Sequence, residues 1–221
     1  KLLLDHLGVV SLEAVIGPSI GGLMALEFCT LYPNYVNKLI SISSGYKLST
    51  IQLLHNLEQA YILDLSKDSN VRKEEYLSLA RMIAHKTYIS LELLSKRAKN
   101  ESLYDDDLIE GFLNSPQESY MMHQGEKFIE RFTPESYYSI IKGWQNFSLD
   151  INSINNLKNI KTLVISVDSD VCFYPEEQID FVNTLKENKV QTTHHMIQST
   201  KGHDSFLLEP ELFQEIIKNF L

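Results

Sequence analysis

The segment Glu13-Ala14-Val15-Ile16-Gly17-Pro18-Ser19-Ile20-Gly21-Gly22 constrains this chain more than any other. It reads as a short apolar strand, a G-x-S-x-G turn, and then an apolar helix from Leu23 to Leu31. That is the strand–turn–helix setting a nucleophile elbow needs. A serine on so sharp a turn holds a strained backbone, and Gly17, Gly21 and Gly22 let strand and helix approach closely enough for it. The hydroxyl of Ser19 then projects from the top of a sheet, and the backbone N–H of Ile20 points at a developing oxyanion. The pentapeptide alone also suits a glycine-rich turn with no chemistry. The flanking strand and helix favour the nucleophile.

A serine hydroxyl is almost fully protonated at neutral pH, so it needs a base, and the base needs an orienting acid. The apolar run Thr162-Leu163-Val164-Ile165-Ser166 reads as a buried parallel strand, with Asp168 and Asp170 just past its end. A second strand, from Gln191 to Ile197, is followed by Gly202-His203-Asp204. Carboxylate and imidazole thus each follow a strand, at the carboxyl edge where such sheets bind ligands. Spacing does not choose between Asp168 and Asp170. Of the seven histidines, His203 is set apart by its glycine and its loop beyond a strand. The His194-His195 pair lies inside the last strand with no carboxylate or cysteine at ligand spacing beside it, which argues against a metal site.

At this point the chain resembles the MetX-type homoserine O-acyltransferases of the α/β-hydrolase superfamily. The likeness spans nearly the whole sequence. It is carried by the elbow from Gly17 to Gly22 with Leu26-Glu27 and Tyr32-Pro33 behind it, and by the run from Leu79 to Ser90. The segment from Tyr120 to Tyr137, with His123-Gln124-Gly125, Lys127-Phe128 and Glu130-Arg131-Phe132, is similar to the family as well. So are Ser169-Asp170, Tyr174-Pro175-Glu176-Glu177-Gln178 and Gly202-His203-Asp204-Ser205-Phe206-Leu207.

The resemblance implies Ser19, Asp170 and His203 as the catalytic set, with the Ile20 N–H in the oxyanion hole. It implies Arg81 as the group that binds the carboxylate of an amino-acid acceptor, Tyr88 beside it, and Asp204 near the amine. A guanidinium fork suits bidentate recognition of a carboxylate. Arg81 and Tyr88 are spaced to share a helical face. The implied reaction carries an acetyl group from acetyl-CoA to L-homoserine, with no bound cofactor and no metal, in a homodimer formed through a helical cap. The same serine, histidine and aspartate with water as acceptor would make an esterase or thioesterase. Serine O-acetylation is the alternative within the family, and a catalytically silent scaffold, against which the complete Ser, Asp and His elements argue, is the last. The chain departs from the family pattern at Pro18, Ile20, Met122 and Thr133, which bear on donor and acceptor preference.

The formal charge of −9 argues against a phosphate-binding surface, and hence against nucleic acid as a partner. Coenzyme A is also anionic, so a local basic cluster must offset that charge. Lys96-Arg97 with Lys99 is a candidate, although a solvated helix face is the plainer reading. Cys29 and Cys172 are the only cysteines and fit a reducing, cytoplasmic compartment. No apolar run reaches the roughly 18 residues that a membrane span needs.

The 221 residues suffice for one core with an insertion. Residues 1–48 and 150–221 read as an α/β-hydrolase core and residues 49–149 as a helical cap or lid. In the core, Lys1 to Leu7 reads as a helix end closed by Gly8, Leu12 to Ile16 and Lys38 to Ser43 as strands, and Pro175 to Asn188 and Glu209 to Phe220 as helices. Apolar spacing turns helical from Thr50 to Leu149. Helices are expected over Thr50 to Leu65, Lys73 to Arg97 (one or two), Asp105 to Leu113, Glu118 to Phe132 and Pro134 to Phe147. Ser115-Pro116 and Thr133-Pro134 read as cap pairs, and Asp105-Asp106-Asp107 as an acidic helix start. The opening Lys1-Leu2-Leu3-Leu4 carries no methionine, and few residues precede the elbow. The expectation is therefore a fold lacking its N-terminal strands and the loop that supplies a second oxyanion donor, with a sheet edge left open.

Overall fold

The computed structural model describes residues 1–68, 72–100 and 115–221. The run Asp105-Asp106-Asp107 and the helix expected over Asp105 to Leu113 lie outside the described residues. In chain order the elements are α1 (Leu2–His6), β1 (Leu12–Pro18), α2 (Ile20–Leu31), β2 (Val36–Ile42), α3 (Thr50–Leu65), α4 (Lys73–His85), α5 (Leu91–Asn100), α6 (Pro116–Ile129), α7 (Pro134–Gln145), β3 (Lys161–Val167), α8 (Pro175–Glu187), β4 (Thr192–Ile197), α9 (Ser205–Leu208) and α10 (Glu211–Phe220). They form two compact units, Lys1–Lys47 with Phe147–Leu221, and Leu48–Asn146.

The first unit is built on a parallel sheet in the order β1-β2-β3-β4. Strand alternation sends neighbouring residues to opposite faces. Leu39 and Val164 face a cluster with Ala25, Leu26 and Cys29 of α2 and Phe181, Val182 and Leu185 of α8. Ile40, Leu163 and Ile165 face the other side, against Phe213 of α10 with Phe206, Ile217 and Phe220 around it. Covered on both faces, β3 buries every residue but Lys161, which is why it reads as an unbroken apolar run. β1 has one neighbour among the described strands, and its Ile16 is half-exposed.

The second unit is helical. Ser49 and Gln52 close a capping box on α3, and Ser115 and Thr133, each followed by proline, cap α6 and α7. α4 and α6 pack closely where Gly125 meets Ser78, since a Cβ at Gly125 would collide with the Ser78 hydroxyl. α3 is oriented against its composition. Gln52, Asn56 and Gln59 face inward, while Ile51, Leu54, Leu57, Tyr61 and Leu65 are exposed.

Several element boundaries differ from expectation by a few residues. α2 begins at Ile20 rather than Leu23, because the chain turns directly from β1 into the helix and the two glycines are held there by packing despite their poor propensity. The stretch from Lys73 to Arg97, expected as one or two helices, forms two. The Thr87 N–H bonds back to the Ala84 carbonyl (3.0 Å) and the Tyr88 N–H to that of His85 (3.2 Å), which tightens the last turn and ends α4. Tyr88 therefore lies past the helix, so it does not share a helical face with Arg81. The polar run Ile151–Asn159 winds as a 3-10 helix, started by the Asp150 carboxylate accepting from the Asn152 N–H.

Candidate active site

Ser19 stands between the last residue of β1 and the first of α2, with φ 55° and ψ −130°. For a residue with a side chain this conformation costs about 1–3 kcal/mol and persists only where its surroundings hold it. The Ser19 N–H donates to the Ile42 carbonyl (2.9 Å), and its own carbonyl accepts from the Gly22 N–H (2.9 Å). The glycines are required by space. A Cβ at Gly17 would overlap the Gly21 carbonyl, and one at Gly22 would come within 2.5 Å of the Ser44 side chain. Ile20 occupies the first helical position of α2, where a backbone N–H has no acceptor within the helix.

The Ser19 hydroxyl lies 2.8 Å from Nε2 of His203, and Nδ1 of His203 lies 2.9 Å from Oδ2 of Asp170. The Asp170 carboxylate is almost fully buried, and its Oδ1 accepts from the backbone N–H groups of Cys172 and Phe173, both at 2.9 Å. An ionised carboxylate only accepts, so it draws the imidazole proton to Nδ1 and leaves the Nε2 lone pair toward Ser19. The Phe173 ring stacks on the His203 ring (centroids 5.6 Å, 17° between planes), and Phe206 meets it edge-on. These contacts fix the imidazole plane. Asp168, the other carboxylate the spacing allowed, turns elsewhere and accepts from the Ser199 N–H at 3.0 Å.

Asp204 follows His203 in the same unit and is half-buried. Arg81 and Tyr88 belong to the helical unit. The Arg81 guanidinium lies over the rings of Tyr88 (4.6 Å) and Phe128 (4.9 Å), so cation–π contacts bring this pair together where a shared helix face does not. Next to it His85 is buried, with Nε2 2.9 Å from the Tyr120 hydroxyl. Burial and the Arg81 and Arg97 charges push its pKa down to about 4. Sequence reasoning missed Phe173, and it named Phe128 and Phe206 within motifs without giving either a role. What each ring packs against is set by tertiary contact, which the local sequence does not encode.

Of the histidine pair in β4, His194 binds the Ser166 hydroxyl (2.9 Å) across to β3. Among the described residues no group of three or more histidine, cysteine or acidic side chains could hold a metal ion. Both cysteines are buried, and burial pushes the Cys29 thiol up to about 12. Of the candidate basic cluster, Lys96 and Arg97 lie on α5, and the Lys99 side chain is outside the described residues. No helix among the described residues is long and apolar enough to cross a membrane.

Residues 1–210 match the model of the alpha/beta hydrolase fold family. Over its whole length the chain is 39% identical to a homoserine O-acetyltransferase of Methanosalsum zhilinae and covers 47% of that protein. It is 37% identical to one of Methanohalobium evestigatum, covering 48%. The chain thus spans about half the length of these curated relatives. Among solved structures, homoserine O-acetyltransferase from Bacillus anthracis superposes with a TM-score of 0.86 at 18% identity, over 99% of this chain and 62% of that one. Esterase E22 superposes with a TM-score of 0.87 at 17% identity, over 100% of this chain and 64% of that one. By its family match and by a parallel sheet whose carboxyl edge gathers Ser19, Asp170 and His203, this chain belongs to the α/β-hydrolase fold family, and in sequence it stands with proteins named homoserine O-acetyltransferase.

Proposed function

We propose that this chain carries the reacting centre of an acyltransferase that moves an acetyl group from acetyl-CoA to the hydroxyl of L-homoserine by way of an acyl-serine. The observation that carries the reading is the continuous hydrogen-bonded line from Ser19 through His203 to Asp170. In the first half-reaction the Ser19 oxygen attacks the thioester carbonyl while its proton passes to His203 Nε2. The carbon–sulfur bond breaks, the departing thiolate takes that proton, and acetyl-Ser19 remains. In the second, the acceptor hydroxyl gives its proton to His203 and attacks the ester. The Ser19 oxygen leaves, takes the proton back, and the O-acetylated amino acid departs. Asp170 holds the tautomer and stabilises the imidazolium. The Ile20 N–H donates to the oxyanion, a contribution of about 3 kcal/mol in enzymes where such a donor has been removed.

The family resemblance supports Arg81 as the ligand of the acceptor carboxylate, Tyr88 as the ring that orients it, and Asp204 as the partner of the amine. The stacked guanidinium favours the first two, since cation–π contacts spare its N–H donors for a carboxylate. We further propose a homodimer through the helical unit, supported by the exposed apolar stripe Leu54, Leu57, Tyr61 and Leu65 on α3. We assign the protein to the cytoplasm on its low cysteine content, two in 221 residues.

The test is the intact mass of the protein after brief exposure to acetyl-CoA, beside Ser19→Ala, with and without L-homoserine. An acetyl adduct on the parent protein alone, discharged faster by homoserine than by water, is the expected result. Equal discharge by water would make the protein a hydrolase. No adduct under either condition would overturn the acetyl-serine route.

A further inference from the structure

We infer that Ser199 is a positioning residue for the candidate site, anchored by Glu209, and that it sets the approach of His203 to Asp170. The inference rests on the reading of Ser19, Asp170 and His203 as the reacting set. Nothing in the chain's motifs points to Ser199, which lies in the polar turn between β4 and His203.

Ser199 uses every polar group it has. Its N–H donates to Oδ1 of Asp168 (3.0 Å), and its carbonyl accepts from the Ser169 hydroxyl. Its own hydroxyl donates to Oε2 of Glu209 (2.5 Å), since a carboxylate can only accept. The same oxygen accepts from the Lys201 N–H (3.0 Å), and the Ser205 hydroxyl lies 2.9 Å away. Ser169 closes the circuit from the other loop by accepting from the Gly202 N–H (3.1 Å).

Ser169, before Asp170, is thereby tied to Gly202, before His203; Ser169 bonds Ser199 directly, and Gly202 is linked to it through Ser169 and Ser205. Asp168 and Ser169 belong to the acid loop, Ser199 and Lys201 to the loop that carries His203, Ser205 to the start of α9, and Glu209 to the link between α9 and α10. Without these bonds the 2.9 Å Asp170–His203 separation would rest on the strand ends and on the Phe173 and Phe206 rings packed against the imidazole. A charged acceptor makes the Ser199 contact a strong one. A misplacement of about 1 Å at a reacting group costs as much as 100-fold in rate. Glu209 and Ser199 touch neither Ser19 nor a reacting atom, so they act through His203.

Two readouts on the folded protein test this. One is the low-field proton resonance of the His203 Nδ1–H, which reports the bond to Asp170 whatever the substrate. The other is the pH profile of Ser19 modification by a fluorophosphonate, followed by intact mass. Ser199→Ala and Glu209→Ala are expected to broaden or shift the resonance, slow modification about tenfold or more, and move the midpoint of the profile. Ser199→Thr and Glu209→Gln, which keep the hydroxyl and an acceptor, are expected to restore most of each. Should Ser199→Ala fail to fold, the Glu209 pair decides. Parent-like resonance, rate and midpoint in Ser199→Ala or Glu209→Ala would overturn the inference, as would the absence of both signals from the parent protein. A parent that shows the resonance but is never modified would defeat the proposed acyl transfer while leaving the positioning role to be decided by the resonance.

Discussion

Asp170 in the α/β unit and Asn56 in the helical unit are both buried, yet they are served differently. Asp170 has a donor for each need: two backbone N–H groups on one oxygen and an imidazole on the other. Neither amide atom of Asn56 has a partner among the described residues. The surfaces differ in the same sense. β2 and β3 bury their apolar residues on both faces, whereas α3 turns Gln52, Asn56 and Gln59 inward and leaves Leu54, Leu57, Tyr61 and Leu65 exposed. The comparison teaches that strand ends bring their own backbone donors to a buried charge, while a helix interior has none to spare. An inverted helix is costly in an isolated unit, at about 1–3 kcal/mol for each unmet buried polar group. It suits a helix whose outer face is an interface, as in the proposed dimer.

The largest effects should fall on the α/β unit. Ser19→Ala or His203→Ala should abolish adduct formation, a loss of about 10⁴-fold or more by intact mass, with the circular dichroism unchanged. Asp170→Asn should cost about 10³–10⁴-fold through the wrong imidazole tautomer, whereas Asp168→Asn should cost far less. Equal losses at the two positions would break the distinction between the carboxylates. Phe181→Ala, between α8 and the sheet, should destabilise this unit by about 3–5 kcal/mol in urea titrations.

The helical unit should respond more to pH. His85 titrates at about 4 when folded, against an ordinary 6.5, so the unfolded chain holds more protons between those values. Its contribution is complete above pH 6.5 and is lost as the pH falls toward 4, on the order of 3 kcal/mol in all. Urea midpoints at pH 7.5 and 4.5 should therefore differ more for the parent than for His85→Gln. The smallest effect belongs to the exposed face of α3. Leu57→Ser and Tyr61→Ser should change the stability of the monomer by less than about 0.5 kcal/mol but reduce dimer content in sedimentation. Large destabilisation of the monomer would show that this face packs internally.

Much of the site was legible because it follows strand ends. G-x-S-x-G marks Ser19, and the loops after an apolar strand and a mixed one mark Asp170 and His203. Spacing could not separate Asp168 from Asp170, because two residues in one loop differ only in which way the loop folds. The helical unit was legible in period alone. The repeat of Ile51, Leu54, Leu57 and Tyr61 locates α3, yet those residues lie outside.

By itself the sequence determined the parallel α/β pattern, the elbow, the chain order of serine, acid and histidine, and a helical insertion. These depend on local propensity and on strand and helix periods, which neighbouring residues encode. The tertiary structure decided which aspartate meets His203, that Phe173 and Phe206 fix its ring, that Ser199 binds the two loops together, and which face of α3 is buried. Each of those depends on residues distant in the chain meeting in space, where geometry and the need to satisfy buried polar groups select among choices that are equivalent in the sequence.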